Sequence, residues 1–276
     1  MFHEQAVMDK VPAPYAFLDL SDYARPLARW LAQQLIPTPI TPIHLTLLFT
    51  LVGSLAALLF AVHRWLPLAG LLLLLKSLLD AADGSLARLR ERPSRVGRFL
   101  DSVCDFVVNA LVFGGIAASE AARTGQAHFL GLGLAALICA TLQGSVFSYY
   151  FVRYRHQVGG DRTSRVAEAD TEGYAWDHPA ALRVLHVLYK FIYGWQDVLM
   201  EALDRRLVPA NASLHPAFLT ATTVLGLGTQ LLVTAVCAAV GRPALALWLF
   251  VAPFNVYWLI LLIIRRWLYV TGLHSL

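Results

Sequence analysis

Six stretches of the chain stay apolar long enough to cross a bilayer, which takes about 20 residues of helix: roughly 42–62, 65–82, 98–118, 127–151, 217–240 and 244–264. The second is the weakest. Lys76 leaves only 65–75 free of charge, so this run reaches spanning length only by continuing through Asp80, and its inner end is expected to be polar. Ahead of the first run, Tyr23, Leu27, Trp30, Leu31 and Leu35 recur at helical spacing, with Arg25 and Arg29 on other faces. This predicts an amphipathic helix over 20–35, lying in the membrane interface or packed on the bundle, with Pro26 in its first turn. After the fourth run, 158–178 is polar and contains glycine, and reads as an exposed loop. Leu182, Leu185, Tyr189, Ile192, Trp195, Leu199 and Leu203 then mark a second stripe, with Lys190, Asp197, Glu201 and Asp204 around it. A surface helix docked on the membrane or on the bundle is expected there. The pattern as a whole predicts an all-α protein: an integral membrane helical bundle of six transmembrane helices plus an N-terminal interfacial amphipathic helix. A single membrane domain over 1–276 would hold spans one to four in 42–151, a cytoplasmic loop and surface helix in 152–216, and spans five and six in 217–264.

Composition agrees: 58% of the 276 residues are hydrophobic, 14% are charged and the mean hydropathy is +0.59, which excludes an ordinary soluble domain. The charges that remain are placed unevenly. Arg88, Arg90, Arg92, Arg95 and Arg98 lie between the second and third runs, Arg265 and Arg266 follow the sixth, and Lys10, Arg25 and Arg29 precede the first. The opposite loops carry only Arg64, Arg123 and Arg242. By the positive-inside rule both termini and the loop after the second run face the cytoplasm, most simply across the cytoplasmic (inner) membrane. A net charge of +4 suits contact with anionic lipid, and because the basic residues track the interface, nucleic acid is not an expected partner. The polar start, 1–22, has no apolar core and reads as no cleavable signal. Cys104, Cys139 and Cys237 each fall inside a predicted span without C-x-x-C spacing, which points to packing and away from a disulfide or zinc framework. Asn211-Ala-Ser213 matches a glycosylation acceptor pattern, but on the predicted cytoplasmic side.

Candidate chemistry concentrates in 80–105, which reads D-x-x-D-G-x-x-A-R, eight residues, then G-x-x-x-D-x-x-x-D. Asp80, Asp83, Gly84, Ala87, Arg88, Gly97, Asp101 and Asp105 occupy the fixed positions. At residue frequencies of roughly 5 to 8 per cent, that coincidence has a probability on the order of 10⁻¹⁰ at a given start. Residues three or four apart share a helix face, so Asp80 with Asp83 and Asp101 with Asp105 form two pairs on neighbouring antiparallel helices. Four carboxylates beside hydrocarbon need a compensating cation, and a tetrad of hard oxygen ligands suits Mg²⁺ or Mn²⁺, with room for two ions. Gly84 leaves space for a phosphate to approach the backbone, Arg88 offers a fork of donors to it, and Gly97 lets the second helix start close to the first. These are the parts of a metal-assisted phosphoryl-transfer site. The plainer reading, interfacial ion pairs with Arg88, Arg90, Arg95 and Arg98, does not call for both glycines and the alanine. Arg153 and Arg155, at the inner end of the fourth run, are candidates for contacting an anionic acceptor, with topological anchoring as their commoner use.

The eight motif residues resemble the signature of the CDP-alcohol phosphatidyltransferases, integral membrane enzymes of phospholipid biosynthesis. Six spans, a preceding interfacial helix and Thr41-Pro42 at the first span are similar to that family too. The resemblance implies transfer of a phosphate-linked group from a CDP-activated donor to an alcohol, with release of CMP. It implies that Asp80, Asp83 and Asp101 are metal ligands, that Asp105 reaches a second ion and acts as general base, and that Asp83, Gly84, Ala87 and Arg88, with Gly97 nearby, hold the cytidine diphosphate. A homodimer is implied as well. The leading expectation is a transferase using CDP-diacylglycerol and a polar alcohol. The rivals are a CDP-choline or CDP-ethanolamine phosphotransferase acting on diacylglycerol, an intramembrane prenyltransferase, and an ion or metal transporter, which would place its carboxylates nearer the bilayer midplane.

Overall fold

The computed structural model describes residues 11–160, 173–210 and 212–272. Lys10, Asn211 and the middle of the expected 158–178 loop lie outside them. Within the described residues the chain is helical and contains no strand. A short 3₁₀ turn at Leu20–Asp22 leads into α1 (Arg25–Leu35), followed by α2 (Pro42–Ala61), α3 (Leu66–Leu89), α4 (Arg95–Thr124) and α5 (His128–Gln157). Next come α6 (Pro179–Tyr189), a π-helical turn (Lys190–Gly194) and α7 (Trp195–Leu207), then α8 (Pro216–Thr222), α9 (Leu227–Ala239), α10 (Ala244–Val251) and α11 (Pro253–Val270).

Four helical stretches are long and apolar enough to cross a membrane: Pro42–Ala61, Arg95–Thr124, His128–Gln157 and Ala244–Val270. A fifth is added if Pro216–Leu225 and Leu227–Ala239, bent by 43°, form one span. This is a multi-pass membrane protein. The count stops short of the expected six at α3, which has the length, at 24 residues, but interrupts its apolar run with Lys76, Asp80 and Asp83.

Local sequence explains where the helices begin. Thr41 and His44 form a reciprocal cap on α2, with Pro42 at its first position, and Ser94 Oγ accepts the Gly97 amide at the start of α4. Small residues then let the spans meet closely, as membrane helices require. A methyl group on Gly115 would sit 2.8 Å from Ala57 O, and one on Gly70 would sit 2.8 Å from Ala235 O. Around these crossings Phe60, Leu73, Ile116, Leu247 and Phe250 form the principal core.

α1 combines both expectations made for it. Ala28 and Ala32 are buried against Leu79, Ala82 and Leu86 of α3, while Leu27 and Trp30 point outward. The small face docks on the bundle, and the large apolar face is left for lipid.

The second amphipathic stripe packs on the bundle at Leu182 and Tyr189, but further along it is Gln196, Met200 and Asp204 that face inward, while Trp195 and Leu199 are exposed. Leu182, His186, Tyr189, Gln196, Met200 and Asp204 follow one 3.6-residue repeat and form the inward face, whereas the apolar stripe, with its shorter average spacing, has drifted off that face by Trp195 and Leu199. Asp204, expected on the polar flank, is buried and binds Arg153 and Arg265.

Candidate functional site

The motif occupies the facing ends of α3 and α4. Asp80, Asp101 and Asp105 each offer a carboxylate oxygen, and those three atoms lie within 4.8 Å of one another. A divalent ion holds oxygens at about 2.0–2.6 Å, so opposed ligands stand roughly 4–5 Å apart, and the cluster needs little movement to take one. One further observation fits an ion: Asp101 Oδ1 is sealed from solvent and has no hydrogen-bond partner. Such an orphaned acceptor is costly unless something cationic meets it.

Asp83 is turned elsewhere. It stands one turn from Asp80, but its Oδ2 accepts from Thr46 Oγ1 of α2 at 2.7 Å, in a buried contact. The structure thus gathers three of the four expected carboxylates and ties the fourth to α2. Nothing in the sequence marks Thr46 for this role, because a threonine in an apolar run has several ordinary uses.

Lys76 is the other residue the motif does not contain. It is fully buried, and its Nζ donates to Asp80 Oδ2 at 2.9 Å and to Asp105 Oδ1, with the Phe49 ring centroid 4.5 Å away. Four-residue spacing to Asp80 was the available signal, and the charge balance of the carboxylates called for a cation.

Gly84, Ala87, Arg88 and Gly97 line the same cavity as the carboxylates, a space of about 1640 Å³. A methyl group on Gly84 would come 3.4 Å from Arg88 Nη1, so the guanidinium lies close beside the glycine. Seven further arginines reach the wall, among them Arg25 and Arg29 of α1 and Arg155 of α5. Arg90 bridges to α1 and its exit, donating to the carbonyls of Leu35 at 2.9 Å and Thr38 at 2.7 Å.

The two acceptor candidates separate. Arg155 lines the cavity and lies 4.8 Å from the Phe151 ring centroid. Arg153 does not. It pairs with Asp204 and donates to Ala212 O at 3.0 Å, in a buried knot that also includes Arg265 and Tyr150. The reason is periodicity: two positions apart on a helix are about 200° apart, so only one of the pair can face the site.

The stretch expected to be an exposed loop also contributes. Asp177 accepts from Ser94 Oγ at 2.6 Å and from the Arg95 amide at 2.9 Å, and Trp176 Nε1 donates to Pro93 O at 2.8 Å. Residues 173–178 are therefore strapped across the turn that joins the two motif helices, and Tyr174, Trp176 and Asp177 form part of the cavity wall.

The family model for CDP-alcohol phosphatidyltransferase matches residues 35–200 of this chain, well over half its length and including the whole motif. The chain belongs to the CDP-alcohol phosphatidyltransferase family. Among curated proteins it is 41% identical over 76 residues to a bifunctional IPC transferase and DIPP synthase from Thermococcus kodakarensis, which is 28% of this chain and 17% of that one. It is 39% identical over 93 residues to an archaetidylinositol phosphate synthase from Pyrococcus horikoshii, 34% of this chain and 48% of that one. The match spans less than half the length of either relative. Among solved structures it is similar to Mycobacterium tuberculosis phosphatidylinositol phosphate synthase with CDP-DAG bound, at 19% identity and a TM-score of 0.41, over 64% of this chain and 92% of that one.

Proposed function

We propose that this family member transfers a phosphate-linked lipid group from a CDP-activated lipid to a polar alcohol and releases CMP. The observation that carries the reading is the meeting of Asp80, Asp101 and Asp105 beside Gly84 and Arg88 on one cavity wall. Mg²⁺ or Mn²⁺ held by those three carboxylates would supply positive charge against the diphosphate and the departing CMP. Arg88, close beside Gly84, offers two donors to diphosphate oxygens and orients the group. Asp105, one turn deeper than Asp101, accepts the proton of the attacking hydroxyl. Thr46 holds Asp83 in one rotamer, so that the floor of the seat is set before substrate arrives.

For the acceptor, Arg25, Arg29 and Arg155 give the cavity basic walls suited to a phosphorylated alcohol. The relative named as an archaetidylinositol phosphate synthase supports the same choice. The Lys and Arg distribution supports a cavity that opens to the cytoplasm, where soluble acceptors reside while the donor arrives through the lipid.

The test is CMP release by purified protein with Mg²⁺ or Mn²⁺, CDP-diacylglycerol or its archaeal ether counterpart, and a panel holding inositol, inositol phosphate, glycerol phosphate and serine. CMP formed with a phosphorylated polyol and not with the bare polyols is the expected result. No CMP from any CDP-linked lipid would reject the reading.

A further inference from the structure

We infer that Lys76 is a resident cation of the carboxylate cluster, occupying the place of a second metal ion, so that this chain takes one divalent ion where the motif alone has room for two. The inference rests on the metal reading of the site proposed above and concerns a residue outside the motif.

Lys76 has no exposed surface, although it follows directly on a run of five leucines. A buried ammonium is tolerated only where its charge is met, and here it is met by carboxylates from two helices at once. Its Nζ donates to Asp80 Oδ2 on its own helix α3, one turn away, and to Asp105 Oδ1 across the interface on α4. Those are two of the three carboxylates that gather. The third side of the ammonium faces the Phe49 ring, 4.5 Å to its centroid, whose π face favours a cation and denies it a retreat toward α2. Lys76 is therefore held in place, not reaching in from a mobile position.

That placement limits what else the carboxylates can bind. An ion shared by the two oxygens that face Nζ would stand within ordinary contact distance of the ammonium, and like charges at that separation repel. The opposite side differs. Asp101 Oδ1 takes no hydrogen bond from Lys76 or from any other residue, and it is the oxygen best placed to meet an ion. One divalent ion beside Asp101 together with the ammonium leaves the four acids of the motif with a single net negative charge. A second divalent ion would turn the cluster positive before Arg88 is counted.

The experiment is a Mn²⁺ titration of the purified full-length protein in lipid nanodiscs, with free Mn²⁺ read by room-temperature EPR and no substrate present. An Asp80→Asn/Asp101→Asn double variant serves as the blank for adventitious binding. Wild type is expected to bind one Mn²⁺ per chain above the blank, and Lys76→Met two. Lys76→Gln, which keeps a hydrogen-bonding head without the charge, carries the comparison if Lys76→Met does not fold. Two Mn²⁺ ions in wild type, or one in both wild type and the neutral variants, overturns the role of Lys76 and leaves the transferase reading standing. No Mn²⁺ above the blank in any protein overturns the metal reading itself, and this inference with it.

Discussion

Asp101 and Asp105 stand one turn apart on one helix, yet their surroundings differ. Asp101 has an oxygen with nothing to bond, whereas Asp105 already meets Lys76. Asp101→Asn should therefore weaken Mn²⁺ binding more than Asp105→Asn does, which a Mn²⁺ titration of the two variants checks. Asp105→Asn should cut CMP release by about 100-fold or more, the usual worth of a positioned base, while its Mn²⁺ affinity falls much less. Equal losses in both quantities would remove Asp105 from the base role. The knot around Asp204 is of another kind. Asp204→Asn leaves two buried guanidinium groups facing an uncharged partner and should cost about 3–5 kcal/mol of stability, seen as a lower unfolding midpoint. Arg153→Ala should cost less, because Arg265 still pairs with Asp204, and CMP release per folded molecule should persist since Arg153 lies off the cavity wall. A variant that folds fully but has lost turnover with a phosphorylated acceptor alone would restore Arg153 to the acceptor site.

At the scale of elements, the most instructive feature is the π turn at Lys190–Gly194. Hydrophobic spacing placed a helix over this region, and the inward face of its second half follows Gln196, Met200 and Asp204, not the apolar stripe. Nothing in Lys190, Phe191, Ile192, Tyr193 or Gly194 announces a wider turn, because the turn is set by what the helix meets. The rings of Tyr189 and Phe99 lie tilted with centroids 5.0 Å apart and Gln196 accepts from Ser145 Oγ at 2.7 Å, so the helix presents one inward face on both sides of the turn. Deleting Ile192 should rotate everything downstream by about 100° and carry Met200 and Asp204 out of the core. The expected result is a loss of thermal stability comparable to that of Asp204→Asn, measured by the same unfolding assay. An unchanged midpoint would mean that the wide turn takes up the deletion. The strap formed by 173–178 was equally hidden: its polar residues read as solvated until Asp177 is seen capping the start of α4.

For the molecule as a whole, the arginine-rich end of the bundle and the cavity coincide, and by the positive-inside rule that end is predicted to face the cytoplasm. A Glu91→Cys variant in a background with Cys104, Cys139 and Cys237 replaced by alanine should react with a membrane-impermeant maleimide only from the cytoplasmic side of sealed vesicles. Labelling from the opposite side would invert the topology and separate the site from soluble acceptors. The all-helical fold, the apolar helices and the motif itself were determined by the sequence, because each depends on local order: about 20 apolar residues make a span, and three- or four-residue spacing puts two acids on one helix face. Only the tertiary structure decided which atoms meet across helices. Asp83 turns to Thr46, Lys76 bridges α3 to α4, Arg155 reaches the cavity while Arg153 is locked behind it, and Asp204 is buried. Those pairings depend on how each helix is rotated and how deep it sits against its neighbours. Packing of distant residues sets both, through close approaches such as Gly115 on Ala57 and Gly70 on Ala235, and no local pattern records them.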